Sequence, residues 1–162
     1  MIIVVDTREQ QPYTFAGLIE SGGSSAAPIV YAALPSGDYS LQGYETHISI
    51  ERKSLPDFLQ SLGRSRRRFE REIVRLNDYH FAVVIVEAEW SQVLSEGPAH
   101  SQMNLRSVRG TVVAWMQRYP RVHWEFLPGR RAAELATFRH LQRFWNDRAK
   151  EHRHESGMES SL

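Results

Sequence analysis

Read as a pattern of apolar and polar positions, the chain opens with short strands and continues with helices that alternate with strands. Residues 2–6, "IIVVD", are an apolar run closed by an acid, the pattern of a buried strand. Residues 29–34, 39–42 and 47–52 read as three more strands. Pro35-Ser36-Gly37 makes a turn between the first two of these, and Gly43 lies in the turn between the second and third. In "HISIER", Ile48 and Ile50 alternate with His47, Ser49 and Glu51, so Glu51 points to the opposite face from Ile50. Residues 16–28, containing "SGGSSAAP", read as a flexible loop.

Helical spacing takes over after Ser54. That serine predicts an N-cap, with Pro56 in the first turn and Asp57 where a helix N-terminus favours negative charge. Phe58, Leu59 and Leu62 supply the apolar side, and a second helix over 64–76 carries Phe69, Ile73 and Leu76 on one face. "FAVVIVEA" at 81–88 is almost continuously apolar, which suits a central and partly parallel strand. A helix over 104–119 presents Leu105, Val108, Val112 and Trp115 on one side, and Pro120 ends it. A last strand is expected at 122–127. A long helix at 130–150 follows, built on Ala133, Leu135, Phe138, Leu141 and Trp145. The pattern predicts an α/β domain over 1–150, a central mixed sheet flanked by helices, with a polar, disordered tail at 151–162.

Composition narrows the class without naming a partner. The 162 residues suffice for one domain with a real core, and 41 % hydrophobic with 24 % charged content is ordinary for a globular protein. With no cysteine, a disulfide scaffold and a Cys-based zinc site are both excluded. "MIIVV" runs straight into Asp6 without a signal-peptide core, and no apolar run has membrane-spanning length. The expectation is an intracellular protein with no membrane part. Net charge is only +1. Of the 20 basic residues only Lys53 and Lys150 are lysines, and Lys53 stands inside an acidic cluster. The seven histidines show no metal-ligand spacing, and His152 and His154 read as a solvated pair.

That cluster carries the chemistry. Asp6 ends the first strand, with Arg8 and Glu9 just beyond it, and Asp38 starts a strand after Gly37. Glu51 and Lys53, two residues apart, share a strand face, while Arg52 between them turns its side chain away and offers its backbone carbonyl. If the hairpin brings Asp38 beside Glu51, two carboxylates and a carbonyl form an oxygen-rich site suited to Mg²⁺ or Mn²⁺. Without a cation such carboxylates repel, and one tends to stay protonated. Lys53 can stabilise charge on a phosphate oxygen, or orient and help deprotonate an attacking water. Asp57, one turn into the following helix, is placed to hold the lysine or an arginine.

"VVDTREQ", "LPSGDY" and "ISIERKSLPDF" together resemble the nuclease domain of XPF-type endonucleases, a branch of the PD-(D/E)XK, restriction-endonuclease-like fold. The family pattern is V/I-D-x-R-E, then G-D, then E-R-K-x-x-x-D, and this chain fills every position. The resemblance implies metal ligation by Asp38, Glu51 and the Arg52 carbonyl, with Asp6 close enough to contribute. It makes Lys53 the catalytic lysine and Arg8, Glu9, Arg52 and Asp57 supporting residues, the arginines near phosphate. It implies a Mg²⁺-dependent DNA endonuclease, with Mn²⁺ able to substitute, acting on branched, flap or single/double-strand junction DNA. Beyond Gly129 only Gly157 remains, so the glycine-bearing helix-hairpin-helix modules usual in such proteins are not expected. The pattern matches short stand-alone bacterial or phage-borne forms, whose grip on DNA a partner, or a homodimer formed through the C-terminal helices, would complete. A nuclease acting on single strands or duplex ends shares these motifs. A non-catalytic DNA-binding subunit is the reading from another class, but such relatives have lost the acids or the lysine, which this chain keeps.

Residues 64–75 add six arginines against Glu70 and Glu72. Beside the nuclease motif they predict DNA contact by Arg64 and Arg68, with Arg67 and Arg71 left unassigned. The alternative is a solvated helix braced by Arg66–Glu70 and Arg68–Glu72 pairs.

Overall fold

The apolar run at the N-terminus becomes β1 (Ile3–Asp6), every residue of which is buried. Buried backbone N–H and C=O groups must be paired, and β1 has a strand on each side. β2 (Ile29–Ala32) lies parallel to it and β3 (Tyr39–Leu41) antiparallel. Residues 29–34 and 39–42 therefore do not form a hairpin across Pro35-Ser36-Gly37, because β1 inserts between them. The burial pattern gives the reason: β2 is largely exposed and suits the sheet edge, whereas β1 does not. The structure, a computed structural model, describes residues 1–19, 26–95 and 105–159. The glycine-serine stretch at 20–25, Asn104 and residues 160–162 lie outside the described residues.

From β3 the chain turns through Gly43, at φ +83°, into antiparallel β4 (Ile48–Lys53), as the sequence predicts. Next come α1 (Leu55–Leu62), α2 (Arg66–Leu76) and β5 (Phe81–Val86), which runs parallel to β4. A short α3 (Trp90–Ser95), not expected from the pattern, leads to α4 (Leu105–Arg118), and β6 (Val122–Phe126) joins β5 in parallel. The six strands lie in the order β2-β1-β3-β4-β5-β6. The final helix, α5 (Arg130–Glu159), runs past the boundary expected at Lys150. An Arg148–Glu151 pair at 2.6 Å carries it across that point, and no proline follows to stop it.

The sheet has a core on each face. On one, Phe58, Leu62, Phe69, Ile73 and Trp115 from α1, α2 and α4 pack on Val84 and Val86. On the other, Phe138 and Leu141 of α5, with Tyr13 and Phe15, pack on Val5, Tyr39, Ile50 and Ile85. The apolar face of α5 is thus largely covered by its own sheet, although Leu135 stays exposed. Among the described residues no helix is long and apolar enough to cross a membrane.

Candidate active site

Strand register brings the two acids together. Tyr39 pairs with Ile50, so Asp38 stands opposite Glu51. The Asp38 N–H donates to the Ile50 carbonyl at 2.8 Å, and its carboxylate accepts the Arg52 N–H at 2.7 Å. Gly37 makes the approach possible. It has φ +76°, and a Cβ there would overlap Ser49 Oγ and come within 3.1 Å of the Ile50 carbonyl oxygen. Its N–H donates to Glu72 at 3.2 Å, which ties the turn to α2.

Alternation along β4 puts Glu51 and Lys53 on the same face, with Nζ and Oε1 2.6 Å apart. Burial, then the Glu51 charge, pushes the Asp38 carboxyl well above the usual range. Burial also raises Glu51, against the opposing pull of Lys53. For Lys53 burial favours the neutral amine, but Glu51 outweighs it and holds the ammonium above its ordinary value. The Arg52 carbonyl belongs to the same place. The Ile50 carbonyl points to the β3 side and the Lys53 carbonyl to β5, where it accepts the Glu87 N–H at 2.8 Å. By alternation the Arg52 carbonyl faces the Asp38 side, beyond the start of β3.

These residues fit a hard divalent cation. A half-buried and a buried carboxylate whose ionisation is disfavoured, next to an inward-facing carbonyl, are an oxygen donor set that positive charge would relieve. Among the described residues no group of three or more His, Asp or Glu side chains is placed to hold a metal. Asp6 has other partners. Its carboxylate accepts from the Arg8 Nε, Nη2 and N–H and from the Leu34 N–H, all at 2.7–2.8 Å. Burial alone would raise its pKa, but these bonds hold it below the usual range. In this arrangement Asp6 fixes Arg8, whose side chain is 69 % exposed, at the rim of the site.

Arg52 also differs from the expectation of an arginine near phosphate. Its guanidinium is buried on the opposite face of the sheet, donating to Glu87 at 2.8 and 2.9 Å and to Glu9 at 3.4 Å. The alternation that turns Glu51 and Lys53 toward α1 and α2 turns Arg52 the other way. Glu87, which pattern reading passed over, also accepts the Tyr13 hydroxyl at 2.8 Å, and Arg130 stacks over the Tyr13 ring at 4.8 Å. One signal could have found Glu87: it closes a buried strand, as Asp6 does.

On the face that bears Glu51 and Lys53 a cleft of about 240 Å³ opens, and Asp57, Arg68 and Glu72 also line it. Asp57 accepts the Ser54 hydroxyl at 2.5 Å, and its N–H donates back to Ser54 at 3.3 Å, so Ser54 is the N-cap of α1 and Asp57 is tied to it. The helix pairs of the alternative reading, Arg66–Glu70 and Arg68–Glu72, do not form. Glu70 instead accepts from Arg118 and the Trp115 Nε1, and Glu72 from Gly37 and Arg75. Among the described residues this leaves Arg64, Arg66, Arg67, Arg68 and Arg71 without ion-pair partners, Arg66 lying over the Trp115 ring. Arg64 lies in the exposed turn before α2, and Arg68 lines the cleft.

A mixed sheet clasped by helices, with an acid–lysine face at the ends of its middle strands, defines a restriction-endonuclease-like nuclease domain. The model of the ERCC4 domain family matches residues 5–134, and the chain belongs to that family. The structure is similar to that of XPF from Aeropyrum pernix, with a TM-score of 0.67 at 23% identity over 95% of this chain and 69% of that one. It is also similar to XPF from Aeropyrum pernix in complex with DNA, with a TM-score of 0.60 at 26% identity over 90% of this chain and 64% of that one. The chain thus spans about two thirds of the length of the solved structures it matches. No curated protein sequence matches it.

Proposed function

We propose that the chain is a divalent-metal-dependent DNA endonuclease, acting on branched, flap or single/double-strand junction DNA. The observation that carries the reading is the pair of acids, half-buried Asp38 and buried Glu51, held opposite each other with Lys53 on the same face as Glu51. A fold gains nothing from two adjacent carboxylates whose charges repel, whereas phosphodiester hydrolysis uses them. The similarity to an XPF captured with DNA supports DNA as the substrate.

Asp38, Glu51 and the Arg52 carbonyl would hold Mg²⁺ or Mn²⁺, with Asp6 committed to Arg8. Such a cation, when bound, lowers the pKa of a water and neutralises phosphate charge. Lys53 presents its ammonium at the same face, positioned to meet negative charge on a phosphate oxygen. Glu9 and Glu87 on the opposite face keep the Arg52 guanidinium in place, and thereby the strand segment that bears the carbonyl. Arg8 at the rim and Arg64 and Arg68 on the α1–α2 side offer cations to flanking phosphates. Exposed Val113, Met116 and Leu135 leave apolar surface for a second copy or another partner that adds grip on DNA.

The test is incubation of the protein with labelled flap, splayed-arm, duplex and single-stranded DNA, with Mg²⁺ and with EDTA. Cleavage is expected with Mg²⁺ only, strongest on junction DNA, and lost in Lys53→Ala and Asp38→Ala. Equal cutting by wild type and variants would sink the assigned site, and metal-independent DNA binding without cleavage would indicate a binding subunit.

A further inference from the structure

The cleft beside Glu51 and Lys53 extends to the turn between α1 and α2, where Ser61, Ser65 and Arg68 line it. Ser61 is only 8% exposed, yet its side chain has no hydrogen-bond partner among the described residues. Its oxygen opens to the cleft, where it is available to a group bound there. α2 starts at the same spot. Its N-cap residue Ser65 makes no side-chain cap bond. The Arg66 N–H reaches the Gly63 carbonyl at 3.2 Å, but among the described residues the N–H groups of Arg67 and Arg68 have no acceptor. First-turn N–H groups carry the positive end of the helix dipole and suit anions. The Arg68 guanidinium, without an ion-pair partner among the described residues, completes the set.

We propose that this end of the cleft is a subsite for one phosphate of the DNA strand, adjacent to the phosphate being cut. The proposal rests on the nuclease reading and deepens it. A phosphate accepts from every donor present: the Ser61 and Ser65 hydroxyls, the Arg67 and Arg68 N–H groups and the Arg68 guanidinium. The acids in the cleft have partners of their own. Asp57, one turn before Ser61, takes the Ser54 hydroxyl, and Glu72, one turn after Arg68, takes Gly37 and Arg75. The donors therefore converge at the α1–α2 turn while the carboxylates stay turned to their own neighbours. A phosphate seated there would fix the strand on a rigid helix junction and lay the next linkage toward Lys53.

The experiment is a ¹⁵N–¹H NMR titration of the full chain in EDTA, with inorganic phosphate and with the dinucleotide pTpT. Saturable shifts are expected at the Arg67 and Arg68 amides, with tighter binding of pTpT. Affinity should fall about tenfold in Ser61→Ala and in Arg68→Ala, the size expected for losing one hydrogen bond to a charged group. Arg118→Ala, which removes a partner of Glu70 away from the cleft, should leave it unchanged. Absent shifts at these amides, or equal affinity in all variants, would overturn the subsite. Equal affinity for phosphate and pTpT would assign a free-anion site and overturn the strand contact. The titration reads no cleavage, so its failure leaves the nuclease reading standing, and loss of the nuclease reading in the cleavage assay leaves these shifts in place.

Discussion

Glu87 should hold β4, the strand that bears Glu51 and Lys53, from behind, and its removal should cost more than that of any surface acid among the described residues. Its carboxylate accepts from Arg52 at 2.8 and 2.9 Å and from the Tyr13 hydroxyl at 2.8 Å, and the Arg52 and Glu87 side chains are 7% and 9% exposed. In Glu87→Met the Arg52 guanidinium keeps only the 3.4 Å contact with Glu9 as an ion pair. Orphaning one member of a buried ion pair costs roughly 3–5 kcal/mol, and the residual Glu9 contact puts this case at about 3 kcal/mol. Replacing both partners removes the stranded guanidinium, although Glu9 and the Tyr13 hydroxyl each lose a partner, so Arg52→Met/Glu87→Met should cost clearly less than the sum of the singles. The pairing holds the Glu87 pKa below its ordinary value of 4.5, because the Arg52 and Tyr13 bonds outweigh burial. Its contribution is therefore full above that value and is lost as pH falls through the lowered folded-state pKa. Urea unfolding followed by circular dichroism at pH 7 and in the acid range measures all of this. A single variant costing under about 1 kcal/mol, or a double variant costing the sum of the singles, would refute the reasoning. The double variant retains the backbone carbonyl at position 52, so it should still cut DNA wherever it is folded.

Gly37→Ala should destabilise by about 2–3 kcal/mol. Its φ of +76° costs a residue with a Cβ about 1–2 kcal/mol, and the Cβ would displace Ser49 from its 2.9 Å bond to the Ser36 carbonyl, worth about 1 kcal/mol. A midpoint shift in urea corresponding to less than about 0.5 kcal/mol would show that the turn relaxes freely. Asp38→Asn should do the reverse in EDTA at neutral pH, stabilising by about 1 kcal/mol because it removes a carboxyl group whose ionisation beside Glu51 is disfavoured, while abolishing cleavage. In thermal melts Mg²⁺ or Mn²⁺ should raise the wild-type Tm but leave Asp38→Asn and Glu51→Gln nearly unmoved. An equal rise in all three proteins would mean that the cation binds elsewhere.

Most of the candidate site was legible because its logic is local. Period-two alternation puts Glu51 and Lys53 on one face and the Arg52 side chain on the other, and the Gly-Asp pair marks a turn that only glycine fits. Partner choice was not legible. Sequence order suggests that residues 29–34 and 39–42 form a hairpin, yet β1 lies between them. The glutamates of α2 have arginines at helical spacing, yet Glu70 turns to α4 and Glu72 to the Gly37 turn. Asp6 reads as a ligand from its company in the motif, but the fold delivers Arg8 and the Leu34 N–H to its oxygens first.

By itself the sequence determined the kinds of element, the faces their side chains take and the residue types able to perform metal-assisted hydrolysis. These follow from backbone periodicity and side-chain chemistry, which act over a few residues. The tertiary structure alone decided which carboxylates lie opposite each other, which arginines are spent on buried acids and which remain unpaired beside the cleft. Those outcomes depend on strand order and burial, and burial sets the strength of every charge interaction in the site.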